Sequence, residues 1–287
     1  MSDGSVTIEI NGDSKGLEKE INGIGSKVKS GFGKIGSIAG TAMKGVTAAV
    51  GATSTALAGL GSASVSSYAD LEQNVGGIET LFKGSADKVI KNAENAYKSA
   101  GMSANQYMET VTGFSASLLQ SLGGDTDKAA DVADMALTDM ADNANKMGTS
   151  MESIQYAYQG FAKQNYTMLD NLKLGYGGTK EEMERLLSDA QKITGVKYDI
   201  SNLNDVYQAI HVVQGQLGIT GTTAKEAAST ISGSVSSMKS AFDNFLNGSG
   251  TMDQLVETGI TAIQNIVNAV GQLLPQLMQS LSDATPQ

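Results

Sequence analysis

Hydrophobic and polar positions change rhythm several times along this chain, and each change marks a different element. Val6, Ile8 and Ile10 alternate with polar residues in VTIEI at 6–10, the two-residue period of a short strand. Leu17, Ile21, Ile24, Val28, Gly31, Ile35, Ile38, Ala42 and Gly45 then follow at alternating steps of four and three. That 3.5-residue period is the signature of a coiled-coil seam. Glycines at 23, 25, 31, 33, 36 and 40 weaken it, each by up to ~1 kcal/mol relative to alanine. A helix here therefore needs support from a neighbour.

From Gly45 to Ala69 no residue is charged. A helix of that length reaches across a bilayer. The segment is nonetheless dominated by Ala, Gly, Ser and Thr, which gain little in lipid. Small residues at Gly36/Gly40, Gly45/Ala49 and Ala52/Ala56 favour close helix packing instead.

Residues 66–247 read as a run of capped helices. Starts are marked by Ser85 or Asp87, Ser103, Asp125, Ser150, Thr179, Ser201 and Thr222 or Thr223. Stops are marked by Gly101, Gly123–Gly124, Gly148, Gly195, Gly218 and Gly248. VKYDI at 196–200 reads as a short extended link. GSG at 248–250 reads as a flexible hinge. Beyond it Val256, Ile260, Ile263, Val267, Val270, Leu274, Leu277 and Leu281 repeat the four-three spacing as an apolar seam, with a kink predicted at Pro275.

These rhythms predict an all-α fold: a compact bundle flanked by elongated, coiled-coil-like helices, with a short strand at the start. The segments are 1–14 (strand and turn), 15–65 (Gly/Ala-rich elongated helix), 66–247 (bundle) and 251–287 (apolar helical repeat). Both seams predict self-association, because neither has an obvious partner within the chain.

Composition supports an elongated helical chain and narrows its chemistry. Of 287 residues, 34 are Gly, only two are Pro, and there is no Cys or Trp. Both prolines, Pro275 and Pro286, lie near the end, so the strongest helix breaker is absent before them. With aromatics at 5%, the expected core is one of Leu, Ile, Val and Met. A net charge of −10 argues against specific or broad nucleic-acid binding. Residues 1–44 carry six lysines against five carboxylates, a net of +1 that leaves −11 for the rest. Lys27, Lys29, Lys34 and Lys44 read as a solvated helix face. Residues 1–12 lack the basic start and apolar run of a secretion signal.

Candidate chemistry dissolves on inspection. GYGGTK at 175–180 invites a phosphate loop, but Thr179 precedes Lys180 and no apolar strand leads in. Thr179 and Glu182 form a capping box instead. Asp125 and Asp127 lack the downstream ligands of a calcium loop, so Asp125 reads as an N-cap. Asp131, Asp134, Asp139 and Asp142 read as a solvated face of one helix. His211, the single imidazole, has no second His and no Cys beside it, and reads as a surface or boundary residue. Glu181–Glu182 suit a helix N-terminus. Methionines such as Met135, Met140, Met147, Met151 and Met168 read as adaptable core filling. The sequence thus nominates no catalytic residue, no cofactor and no metal site.

Two stretches carry more information than these motifs. DMADNANKMGTSMESIQYAYQGFAKQNYTMLDNLKLGYGGTKEEM at 139–183 and GTTAKEAASTISGSVSSMKSAFDNFL at 221–246 resemble, in order and wording, the N-terminal domain of phage tail tape measure proteins. The form is that of siphophages and prophages of Gram-positive hosts, and the resemblance spans roughly 68–247. It implies a structural, non-enzymatic role in the virion tail lumen, after assembly in the bacterial cytoplasm. Several copies would line the growing tube and set its length, then leave ahead of DNA at ejection. The implied partners are the tail tube protein, tail assembly chaperones and distal tail or baseplate proteins, with host-membrane contact at ejection. It also implies that the repeat around Pro275, echoed by ATPQ at Pro286, continues in a longer protein. The alternative reading is a secreted or membrane-active helical protein inserting through 45–69.

Overall fold

The computed structural model describes the backbone of residues 57–283 and the side chains of 67–269. The strand expected at 6–10, the seam at 17–45, its lysines and the first part of the 45–69 segment lie outside the described residues. Within them the fold is all-α.

The helices are α1 (Leu57–Phe82), α2 (Ala86–Ser99), α3 (Ala104–Ser121), α4 (Thr126–Met147), α5 (Met151–Phe161), α6 (Lys180–Thr194), α7 (Leu203–Gln216), α8 (Thr222–Ser229), α9 (Ile231–Asn247) and α10 (Met252–Asp283). Short 3₁₀ turns occupy Lys83–Ser85 and Leu169–Leu172. Among the described residues no helix is long and apolar enough to cross a membrane. The latter part of the charge-free segment forms the start of α1, whose far end buries Ile78 and Phe82 completely.

Helix α4 is the hub, touching α2, α3, α5, α7 and α8. Its sequence explains why. Ala129, Ala130, Val132, Ala133, Ala136 and Ala141 are buried and small, so neighbouring helices approach closely on several sides. Asp125 begins the helix by accepting the Lys128 amide, and Gly148 ends it at φ +65°.

The core is chiefly Leu, Ile, Val, Ala and Met, including buried Met102, Met108 and Met183, but aromatic side chains take a larger part in it than expected. The largest fully buried side chains include Tyr97, Tyr107, Tyr158, Tyr207, Phe82 and Phe161. Tyr207 meets Phe114 edge-on at 5.6 Å between centroids and Tyr158 at 5.0 Å. Few aromatics are present, but they sit where helices converge and fill more volume than their number suggests. Of Met135, Met140, Met147, Met151 and Met168 only Met140 is fully buried, and Met168 is exposed.

Several caps lie where expected. Ser103 makes a full capping box with Gln106, and Ser150 and Thr179 each accept an amide three residues on. Others move. Asn202 replaces Ser201 as the cap of α7, and Gly221 precedes α8 where Thr222 or Thr223 was expected. Thr230 is both the C-cap of α8 and the N-cap of α9.

The hinge expected at 248–250 is instead a folded turn. Gly250 donates its amide to the Asn244 carbonyl at 2.8 Å, and Asn247 Oδ1 accepts from the Ser249 amide and hydroxyl. A Cβ on Gly250 would stand 2.8 Å from Asn244 Cβ, so glycine serves close approach rather than freedom. Consequently α10 folds back along α9. Leu255, Thr258, Gly259 and Ala262 face inward, whereas the expected seam residues Val256, Ile260, Ile263 and Val267 are only partly covered. Small buried residues on α9, Ser234, Ser237 and Ala241, let α10 approach closely along its inward face. The helix continues through Pro275 to Asp283.

Candidate functional site

The four aspartates of α4, expected as one solvated face, divide by position. Asp131 is outward and pairs with Lys88, which also reaches Asp127. Asp134 is partly buried and accepts the Tyr107 hydroxyl at 2.7 Å, and burial raises its pKa. Asp139 and Asp142 are 1% and 0% exposed. This is the largest departure from the sequence reading. A signal did exist: Ala129, Val132, Ala136, Asp139 and Asn143 follow the three-four spacing of the buried stripe, and Asp139 lies on it.

Asp139 is paired with the histidine of α7. His211 Nδ1 lies 2.9 Å from both carboxylate oxygens, so the ring is a boundary residue with a specific partner. Asp142, one turn on, performs a different task. Its two oxygens accept the backbone amides of Gly221 and Thr223, at the start of α8. A glycine cap has no side-chain acceptor, so α4 supplies one from outside the helix, and its charge complements the helix dipole. Nearby, Tyr158 Oη and Gln214 Nε2 are 3.5 Å apart, and Gln214 Oε1 and Asn143 Oδ1 have no protein partner. The group is a polar seam joining α4, α7 and α8.

The titration of the pair has a definite sign. Asp139 raises the His211 pKa chiefly through their hydrogen bond, against the lowering effect of burial. Burial in turn holds Asp139 above the usual carboxylate range, outweighing the histidine, with Asp142 adding to the shift. The histidine contribution is fully present below its unfolded pKa, about 6.5, and is lost as pH rises through the raised folded value. The raised Asp139 pKa also favours the lower-pH side, in its own window above about 3.9. Urea midpoints should therefore be higher at pH 6 than at pH 8. Because the His211 side chain is 37% exposed, solvent screening limits the expected difference to about 0.5 kcal/mol. Asp139→Asn should flatten the dependence; equal midpoints for the parent at both pH values would contradict the pairing.

The glycine-rich break is occupied by its own side chains. Thr179 accepts the Glu182 amide, as expected, but the Glu182 carboxylate turns to the Gly177 amide at 2.9 Å and to Arg185. Those bonds lower the Glu182 pKa, Arg185 first. Arg185 also donates to the Gly175 carbonyl and lies over the Tyr176 ring at 4.2 Å. Burial, with Asp189 as hydrogen-bond partner, pushes the Tyr176 hydroxyl up to about 12. A phosphate would have to displace Glu182 from the Gly177 amide. Gly178 is required by packing, since a Cβ there would collide with the Thr167 carbonyl. The loop is a clasp.

A cleft of about 750 Å³ lies between α2–α5 on one side and α8–α9 on the other. Its lining includes Met102, Glu109, Glu152, Tyr156 and Glu226. Glu152 accepts the Tyr156 hydroxyl at 3.0 Å, and among the described residues no group of His, Cys, Asp and Glu is arranged to hold a metal. The chain matches no family model, no curated protein and no solved structure in the comparisons made.

Proposed function

We propose that this chain is the N-terminal part of a phage tail tape measure protein, acting by length and assembly contacts rather than by catalysis. The wording of 139–183 and 221–246 carries the reading. Its physical support is that Asp142, in the first stretch, caps Gly221 and Thr223, in the second, so the two resembling stretches meet in direct contact. The bundle would be the assembly-competent end, recognised by tail assembly chaperones and distal tail proteins. The helices flanking it would run along the tube lumen, with the tube protein polymerising around several copies. At ~1.5 Å per helical residue, inserted helix converts directly into added length.

The test is an insertion. About 100 residues of proline-free helical repeat, placed after Asp283 in the encoding phage or prophage, should lengthen its tails by about 150 Å in electron micrographs. Tails of unchanged length, from virions that carry the inserted chain, would overturn the assignment.

A further inference from the structure

The continuous apolar core ends at Ile219, although the packed fold does not. Every member of that core, and every partly buried hydrophobic packed against it, lies between Leu71 and Ile219. Among the described side chains beyond Ile219 the buried apolar ones are Ala227, Ala241, Leu255 and Ala262, outside that cluster. The inward face of α9 is instead polar: Ser234, Ser237, Ser240, Asn244 and Asn247 are all buried. Among the described side chains, three alanines and a leucine contribute little hydrophobic attachment.

Hydrogen bonds do much of the joining. Ser240 Oγ donates to the Gly101 carbonyl at 2.9 Å, and Asn244 Oδ1 accepts the Ala104 amide at 2.7 Å, at the start of α3. Lys98 of α2 reaches Glu257 of α10 at 3.4 Å on the surface. With Asp142 at Gly221 and Thr223, these are the latches. The satisfaction is incomplete, since Asn244 Nδ2, Asn247 Nδ2 and Thr223 Oγ1 are buried without partners. Packing is open along the same boundary. The 750 Å³ cleft separates α8 and α9 from α2–α5.

Within the segment α8, α9 and α10 are tied at specific points around a cavity of about 260 Å³. Gly233 of α9 sits against the Glu226 backbone so tightly that a Cβ would collide, and Asn265 of α10 donates to the carbonyls of Ala228 and Thr230. The connection to the core runs through Gly218 and Gly221, at φ +66° and +81° on either side of buried Ile219.

We propose that α8–α10 is a lid that opens as one piece about the Gly218–Gly221 turn while the α1–α7 core stays folded. Opening breaks the Gly101, Ala104 and Gly221/Thr223 latches and uncovers Ala100 and Met102. It converts a compact end into an extended one without unfolding the core, and requires no chemistry. The inference is independent of the tape measure assignment.

Native-state hydrogen exchange on the full chain tests it. After correction for intrinsic rates, amides of 223–262 should exchange at least about tenfold faster than those of 129–141 and 206–213, reflecting a lower opening free energy. Ser240→Ala, which removes one latch, should speed exchange in 223–262 by about three- to tenfold, as a single hydrogen bond does, and leave 129–141 unchanged. Equal protection of the two regions in the parent protein, or equal loss in both on Ser240→Ala, would show a single cooperative unit and overturn the lid.

Discussion

Tyr207→Ala should cost about 4 kcal/mol, the range for deleting a large aromatic from a core. Tyr207 is fully buried on α7, where its ring meets Phe114 and Tyr158 and its hydroxyl donates to the Tyr158 carbonyl at 3.0 Å. Removing it leaves a cavity among α3, α5 and α7, and helix backbones on three sides cannot collapse to fill it. Tyr207→Phe separates ring from hydroxyl. It should cost only about 1 kcal/mol, because the Tyr158 carbonyl also accepts an amide and the phenol bond is a modest net term. Guanidinium denaturation of the three proteins measures both differences. An alanine variant within 1 kcal/mol of the parent, at unchanged m, would show that the aromatic cluster is not tightly packed.

That cluster also shows how far the sequence could be read. Helix type and most borders were legible because they depend on local chemistry: Ser103, Asp125, Ser150 and Thr179 cap from their own chain, and Gly148 and Gly195 end helices in the left-handed conformation. Asn202 was a near miss for the same reason, since an adjacent serine offers equivalent chemistry. Composition gave the aliphatic part of the core but understated the aromatic part. A low aromatic share says nothing about where the few rings converge, and Phe114, Tyr158 and Tyr207 come from three helices distant in sequence.

The α4 carboxylates show the corresponding failure for polar groups. Charge argued for solvent, yet the three-four spacing ran through Asp139, and its partner His211 lies 72 positions away. Such a pair is invisible to any local rule. The turn at 248–250 failed differently: GSG composition permits both a flexible linker and a tight reversal, and the Asn244 and Asn247 bonds select the second. The C-terminal seam was read correctly as helical, but the face of α10 that packs on the small residues of α9 is the neighbouring one, with Leu255, Thr258, Gly259 and Ala262, and Val256, Ile260, Ile263 and Val267 stay partly covered.

Asp142→Ala provides the second large effect, and it tests whether a helix can be capped from a different element. The substitution strips the amides of Gly221 and Thr223 of their acceptor at a site that is 0% exposed. Two part-buried donors lose hydrogen bonds to a charged acceptor, worth about 1.5–3 kcal/mol each, with partial relief by water because Gly221 is exposed and Thr223 half-buried, so about 3 kcal/mol in total. For a protein of this size that is a loss of roughly 6–12 °C in Tm. Asp142→Asn keeps one acceptor oxygen but turns an amide NH₂ toward the other donor. It should therefore fall between parent and alanine rather than match the parent, since the charge also contributes at a helix N-terminus. Asp131→Ala on the outward side of the same helix is the control. It removes only a surface pair with Lys88, and its effect should stay within about 0.5 kcal/mol. Calorimetric scans that rank Asp131→Ala and Asp142→Ala alike would mean that the carboxylate at 142 is dispensable, and that α8 is held by packing alone.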